Sequence, residues 1–575
     1  MTAPGTTARA SRTGSWWDVA VPVAYTVLAC VIMRSWWTPL GGRITSVNEP
    51  DAVLFAWLFS ITPHELSQGR FPLYSDLLNH PDGINLMWNN GMVLPALLFA
   101  PVTAAFGGLG TLTVVTTLGL AGTAAAAYGC LRVLDVRPAP AALGGLLAGF
   151  SPAMVAQAVG GHPNLVFNVL VPVILLLAVR LMIDEHPAPR TAVWLGVLAG
   201  LQVLVGEETL LLAGVVTALF VLVLVTARPR TAVARAPVFL SRAALALGVF
   251  ALVAAVPLGF QLFGPLPQEG SPWNTAYYSV DLAGHVVATP LQLFAPAADV
   301  ERSASFAGGL EEHTALLGWA LVVVAVAALG WLWHDLRVRT TLLVAFGVAV
   351  LGLGPELTID GEATGVPLPW APIAELPGFE HVIATRFPLF TAGLVGAGLA
   401  FALHRLEAGW ARTAGHLVVV AALVPLVPAP APARETPETP AWFASAPTCP
   451  GGSILALPYP VPGITDAMWW QQAAGLSFAM PGGYFIGPDD RGRAVAGAQR
   501  LPTAELFDDV RADGVVREPT AEMRAQFRAD LDAWGACAAV LGPSPRRDAL
   551  AAQVTALTGD EPELVDGALV WPDLR

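Results

Sequence analysis

The sequence predicts a polytopic all-α membrane bundle of about eleven transmembrane helices, followed by a C-terminal extracytoplasmic α/β domain. Three observations carry that expectation. Hydrophobic residues make up 55% of the 575 and charged residues 13%, against roughly 25% charged in a soluble domain, and the mean hydropathy is +0.60. Apolar runs of membrane length recur up to Leu426, with arginines crowded into the short connections between them. Hydropathy then drops to a soluble level from about Arg434 onward. The net charge of -13 leaves no basic face of the kind a nucleic-acid partner requires. All 30 positive side chains are Arg, a bias we assign to coding composition rather than chemistry.

In chain order, residues 1–15, with Arg9 and Arg12, read as a cytoplasmic tail, and residues 16–429 as the transmembrane domain. The run Trp16–Trp37 is about 20 residues long, has aromatic residues at both ends and lacks a small-residue cleavage site, so a first spanning helix fits it better than a signal peptide. The polar, aromatic-rich stretch Asn48–Gly91 reads as a functional loop inside a large first external connection, 39–110. Met92–Phe106 is too short to span and is broken by Pro95 and Pro101; it is expected to be interfacial or re-entrant. Further spans are expected at Thr111–Leu131, Ala139–Ala158, Leu165–Ile183, Ala192–Val205, Thr209–Thr226, Ala243–Phe263, Thr314–Trp333, Thr341–Leu353, Phe387–Leu403 and Ala414–Leu426. Omitting Met92–Phe106 from the spans puts the Arg-rich loops inside, as the positive-inside rule prefers.

That topology gathers the polar features outside: the Asn48 loop, Gly160–Asn164, Glu207 with Glu208, the connection 264–313, and 354–386. A Pro/Ala-rich linker, 430–442, leads into the α/β domain, 443–575, where GGSILALP, CAAVLGPS and DGALVWPDL read as strands and RRDALAAQVTALTG as an amphipathic helix. Cys449 and Cys537 are disulfide candidates if that domain sits in an oxidising compartment; Cys30 and Cys130 lie in apolar runs.

No P-loop, GxGxxG–helix or Ser/His/Asp spacing is evident. What remains is carboxylates, histidines and a few arginines at external positions. A carboxylate can take a proton from an acceptor hydroxyl while an Arg fork steadies a departing phosphate, which suits sugar transfer from a phosphate-linked donor. Glu207 and Glu208, at membrane depth, are a functional hypothesis by default; solvated turn residues are the alternative. Glu311, Glu312 and His313 fit either a site or a negatively charged first helical turn. Arg386, a cation at the external end of a span, fits phosphate binding or snorkelling to headgroups. His80 and Asp82 can line an acceptor cleft, though His-Pro-Asp-Gly is also good turn sequence. Tyr277, Tyr278, Asp281 and the cluster Trp469–Gln472 can pack, stack on sugars or bond to them.

The segments NEPD, HPDGINLMWNNG, LLAGFSPAMVAQAVGGHPN, EEHTALLGW and LPGFEHVIATRFPLF, in this order, resemble the C-type (GT-C) polyprenyl-phosphate-sugar-dependent membrane glycosyltransferases, in particular the YfhO-like and actinobacterial branch. The resemblance covers essentially the whole chain as architecture. It implies an inverting transferase of the plasma membrane, with a polyprenyl-phosphate sugar donor, surrounding membrane lipids, and an envelope glycan, lipid or protein acceptor. It puts the catalytic base on Asp51, with Glu49 as second choice; Asp51 also reads as an N-cap for a helix starting at Ala52. Metal-dependent relatives carry paired acids in the second external loop, where this chain has His162-Pro163-Asn164, so a divalent metal is left open and His162 reads as a substrate contact or a helix cap. A flippase or transporter of lipid-linked sugars is the alternative, as is a non-catalytic envelope assembly protein.

Overall fold

The computed structural model describes residues 15–313, 315–445 and 447–574. Arg9 and Arg12 of the expected tail lie outside the described residues. Among the described residues, six helical segments are long and apolar enough to cross a membrane: Ala100–Val133, Pro138–Val159, Pro163–Ile183, Glu207–Ala227, Pro229–Phe263 and Ala384–Arg405. The other expected spans fall on shorter helices, Trp17–Ile32, Pro189–Val203, Gly318–Trp331, Leu336–Gly352 and Trp410–Leu423. Many of these helices begin with Pro in the first turn, where the missing N–H is no loss.

The stretch Asn48–Gly91 is not the loop its polarity suggests. Its first half is a helix, Glu49–Ser67, started by Asn48, whose side chain accepts the Asp51 backbone N–H. Residues Ala52–Phe59 are buried on every face of this helix, as expected of a helix held inside a core rather than on a surface. The apolar run is only about ten residues between polar flanks, and so falls below any spanning signature. The second half is a short hairpin, Tyr74–Ser75 against Ile84–Asn85.

Met92–Phe106 forms a six-residue helix, Val93–Leu98, then the opening turns of Ala100–Val133, which breaks at Gly107. Six helical residues rise about 9 Å, far less than the hydrocarbon core. Gly107 takes φ 70°, which glycine adopts freely.

Beyond the bundle, the C-terminal part holds a four-stranded sheet in the order Glu563–Val565, Ala568–Trp571, Ala536–Leu541, Ser453–Leu457. The last pair is parallel and the others antiparallel. Helices Pro502–Asp513, Ala521–Trp534 and Arg547–Thr558 bury Phe507, Phe527, Trp534 and Leu550 in a core of their own with strand residues Leu455 and Leu541. Cys449 and Cys537 are disulfide-bonded. Part of the expected linker is ordered as a strand, Ala433–Glu435, paired with Arg43–Thr45. Gln471 ties this part to the bundle, accepting from the Trp57 indole at 2.7 Å and donating to the Leu77 and Phe478 carbonyls. That pins the segment carrying Tyr484 over the start of Glu49–Ser67.

Candidate active site

A cavity of about 680 Å³ opens where the N-terminal end of Glu49–Ser67 meets the loop 160–164, the first turn of Glu207–Ala227, the turn 310–312, the turn 384–386 and the C-terminal segment around Tyr484. Two glycines let these elements close in. A Cβ on Gly160 would lie 2.7 Å from that of Glu311, and one on Gly161 2.9 Å from that of Ala52. The Gly-Gly pair therefore seats His162 against the helix that carries Asp51.

Asp51 is the centre of a hydrogen-bond network. Its Oδ2 meets His162 Nε2 at 2.6 Å and accepts from Asn48 Nδ2 at 2.8 Å, and its Oδ1 accepts from the Tyr484 hydroxyl at 2.5 Å. Asn48 Nδ2 also reaches Glu311 Oε1 at 3.2 Å. On the far side of the imidazole, His162 Nδ1 is 2.6 Å from Gln157 Oε1, which also accepts from Arg386 at 2.5 Å. Arg386 completes a buried ion pair with Glu312 at 2.8 Å, and Thr385 donates to the same carboxylate.

The orientation of the Gln157 amide follows from its neighbours. Its Nε2 faces the Glu311 carbonyl and the Glu312 carboxylate, both acceptors, and its Oε1 faces a guanidinium, which can only donate. His162 Nδ1 must then carry a proton. The Asp51–His162 contact consequently holds one proton between carboxylate and imidazole Nε2. Burial alone would raise the Asp51 carboxyl, but the His162 bond and charge, the Tyr484 hydroxyl and the Arg386 charge together hold it below its ordinary range. The carboxylate is the favoured form of Asp51. Burial and the adjacent Asp51 charge push the Tyr484 phenol far up, so it stays a donor. Burial raises Glu311.

Glu207 and Glu208 both face the cavity, although adjacent helical positions diverge by about 100°. Glu207 accepts from Gln261 at 2.9 Å and Glu208 from the Ile383 backbone N–H at 3.2 Å. The alternative reading of the pair as solvated turn residues gives way, since both acids sit in the first turn of Glu207–Ala227 and line the cavity. Three further buried acceptors on this wall, Glu207 Oε1, Asn164 Oδ1 and Gln268 Oε1, have no protein partner, nor do the donors Arg386 Nε and Trp88 Nε1.

Other expected residues lie elsewhere. Glu49 does not line the cavity; it pairs with Arg434 on the strand Ala433–Glu435. His80 and Asp82 sit at the tip of the hairpin 74–85, with the Asp82 carbonyl accepting from Tyr74 and the His80 backbone N–H bonded to Met480, so the turn chemistry prevails over a cleft role. Asp51 is not a helix cap, since Asn48 holds that position and the helix starts three residues earlier than expected; His162 makes no capping bond. Asp281 caps the short helix Leu282–His285. Gln157, Asn48 and Tyr484 were missed. Gln157 had a signal, as the lone polar residue of an apolar run five positions before His162, but nothing near Tyr484 points to a partner 433 residues away.

The open metal question has a geometric answer in part. Among the described residues, no three His, Cys, Asp or Glu side chains are grouped to share an ion. The carboxylates of Asp51 and Glu312 are already committed to His162, Tyr484, Arg386 and Thr385. A divalent cation does not fit this donor set.

The apolar helices of membrane length define a membrane protein whose fold resembles that of a solved arabinofuranosyltransferase. The arabinofuranosyltransferase AftD from Mycobacteria aligns with 98% of this chain at 16% identity and TM-score 0.51, and this chain spans 40% of AftD. The oligosaccharyltransferase of Archaeoglobus fulgidus aligns with 92% of this chain at 12% identity and TM-score 0.47, over 70% of its own length. No curated protein matches the sequence. The chain belongs to the family described as a domain of unknown function, DUF6311, whose model matches residues 66–424. That stretch contains His162, Glu207, Glu208, Glu312 and Arg386 but begins after Asp51 and ends before Tyr484.

Proposed function

We propose that this chain is an integral membrane glycosyltransferase that moves a sugar from a polyprenyl-phosphate donor to an envelope glycan, lipid or protein acceptor, with inversion. In this reading the eleven helical segments all cross the bilayer, the N-terminus is cytoplasmic, and the cavity and the α/β domain 443–575 face outward. The observation that carries the reading is the network itself: a carboxylate held ionised, linked through His162 and Gln157 to the one guanidinium among the described residues lining the cavity. The likeness of the fold to an arabinofuranosyltransferase supports it. Family membership below the superfamily, in a YfhO-like or actinobacterial branch, is part of the same proposal.

The chemistry follows from these groups. Asp51 accepts the proton of the acceptor hydroxyl as its oxygen bonds to the anomeric carbon, and the bond from that carbon to the phosphate oxygen breaks on the opposite face. The departing phosphate takes the electron pair, and the unpartnered Arg386 Nε donates to it while Glu312 fixes the guanidinium plane. One guanidinium suits a monophosphate link better than a diphosphate. The unpartnered acceptors at Glu207, Asn164 and Gln268 call for hydroxyl donors, which a sugar supplies. Asp51→Asn tests the reading. Loss of transfer from membrane-lipid donors with retained folding supports it, while an unchanged rate removes the assigned base and leaves the transport or scaffold readings.

A further inference from the structure

A second cavity, of about 520 Å³, lies between the C-terminal half of Glu49–Ser67, the kinked start of Ala100–Val133 and the helix Asp466–Ala473 of the C-terminal part. It is chemically unlike the first. No Asp, Glu or Arg lines it; its polar groups are Ser60, His64, Ser67, Thr103 and Gln472, beside the Trp469 indole. Burial holds the His64 imidazole below its ordinary value, hence neutral at pH 7. Gln472 Nε2 is bonded to the Met468 carbonyl, but Gln472 Oε1 is buried without a partner. A buried amide oxygen left unpaired is a cost that a ligand hydroxyl recovers. Gly107 and Gly475 both take positive φ and have open space where a Cβ would stand, so the walls leave room for close approach.

An ionic headgroup finds no counter-charge here, and a purely apolar guest leaves the Gln472 oxygen unpaired. An uncharged ring with hydroxyls on its edge and an apolar face satisfies both the indole and the amide. We propose that this cavity binds a neutral sugar unit, through Trp469 on its face and Gln472 at a hydroxyl. Phe106, which lines the cavity, is more than half exposed, so the sugar can belong to a soluble oligosaccharide or to a glycolipid headgroup. The site does not depend on the reaction proposed for the first cavity, and Asp51→Asn leaves it intact.

The test uses the full chain. Saturation-transfer NMR with free disaccharides of glucose, galactose, mannose and arabinose, and co-sedimentation with nanodiscs containing diglucosyl-diacylglycerol or phosphatidylglycerol, separate the sources. Saturable binding of a disaccharide, or of glycolipid discs but not phosphatidylglycerol discs, is expected, roughly tenfold weaker in Trp469→Ala and Gln472→Leu. Gln472→Leu guards against misfolding, because it removes a buried unpartnered oxygen and only one long hydrogen bond, from Nε2 to the Met468 carbonyl, so Tm stays nearly unchanged. No binding in either format, or binding equal in wild type and both variants, overturns the proposal.

Discussion

The two cavities sit against one helix, Glu49–Ser67, and share almost nothing else. Asp51, Leu54 and Phe55 face the first, and Ser60, Pro63, His64 and Ser67 the second; at 3.6 residues per turn these sets lie roughly half a turn apart, with about 20 Å of rise between Asp51 and His64. The first is a wired cavity, in which each acid is held by a donor and one cation is paired. The second has no charge and an unsatisfied amide. Position along a single buried helix therefore separates an ionic cavity from a neutral recess. The C-terminal part completes both, giving Tyr484 to one and Trp469 with Gln472 to the other.

The largest expected effect belongs to the first cavity alone. Asp51→Asn should lower sugar transfer by about 10²–10⁴-fold while sugar binding in the second cavity stays at wild-type level, read by transfer from radiolabelled lipid donors beside NMR binding. Equal loss in both would merge the two sites.

Removing the disulfide should reach both cavities. Cys449 and Cys537 close a loop of 88 residues that includes Trp469, Gln472 and Tyr484, and Cys449→Ser should cost about 4 kcal/mol, seen as a lower Tm that reductant reproduces in wild type. Binding in the second cavity and transfer in the first should fall together.

Arg386→Met leaves Glu312 buried and uncompensated. A loss of about 3 kcal/mol of stability is expected, recovered in the Arg386→Met/Glu312→Met double variant, whereas transfer should remain low in both. Recovery of transfer in the double variant would show that the guanidinium serves structure only.

The smallest effect is a shift in pH dependence. Tyr484→Phe removes a donor to the Asp51 carboxylate, so its pKa rises and the acid limb of the transfer profile moves to higher pH. Because the folded-state pKa of Asp51 is depressed, its stability contribution is present above the unfolded value and lost as pH falls through the folded one; Tyr484→Phe should shrink that contribution. A profile unmoved by Tyr484→Phe would detach the C-terminal part from the chemistry.

Much of the bundle was legible because apolar length and the placement of Arg are local properties of the chain. Asp51, His162, Glu207, Glu208, Glu312 and Arg386 stood out for the same reason, as ionisable side chains beside apolar runs that must be paired or wet. The helix Glu49–Ser67 was read as a loop because its apolar run is short and its ends are polar; only packing on every side makes it a core helix. His80, Asp82 and Glu49 shared the residue types of a site, and no local feature tells a turn carboxylate or a surface ion pair from a cavity wall.

By itself the sequence determined which segments leave water, which loops hold the positive charge, and which acids and imidazoles are candidates for chemistry. Only the tertiary structure decided that His162 contacts Asp51 across 111 residues, that Gln157 links that imidazole to Arg386, and that Tyr484 reaches in from the C-terminal part. Hydropathy and charge are summed along the chain, whereas a hydrogen bond depends on a few ångströms between atoms that the chain itself leaves far apart.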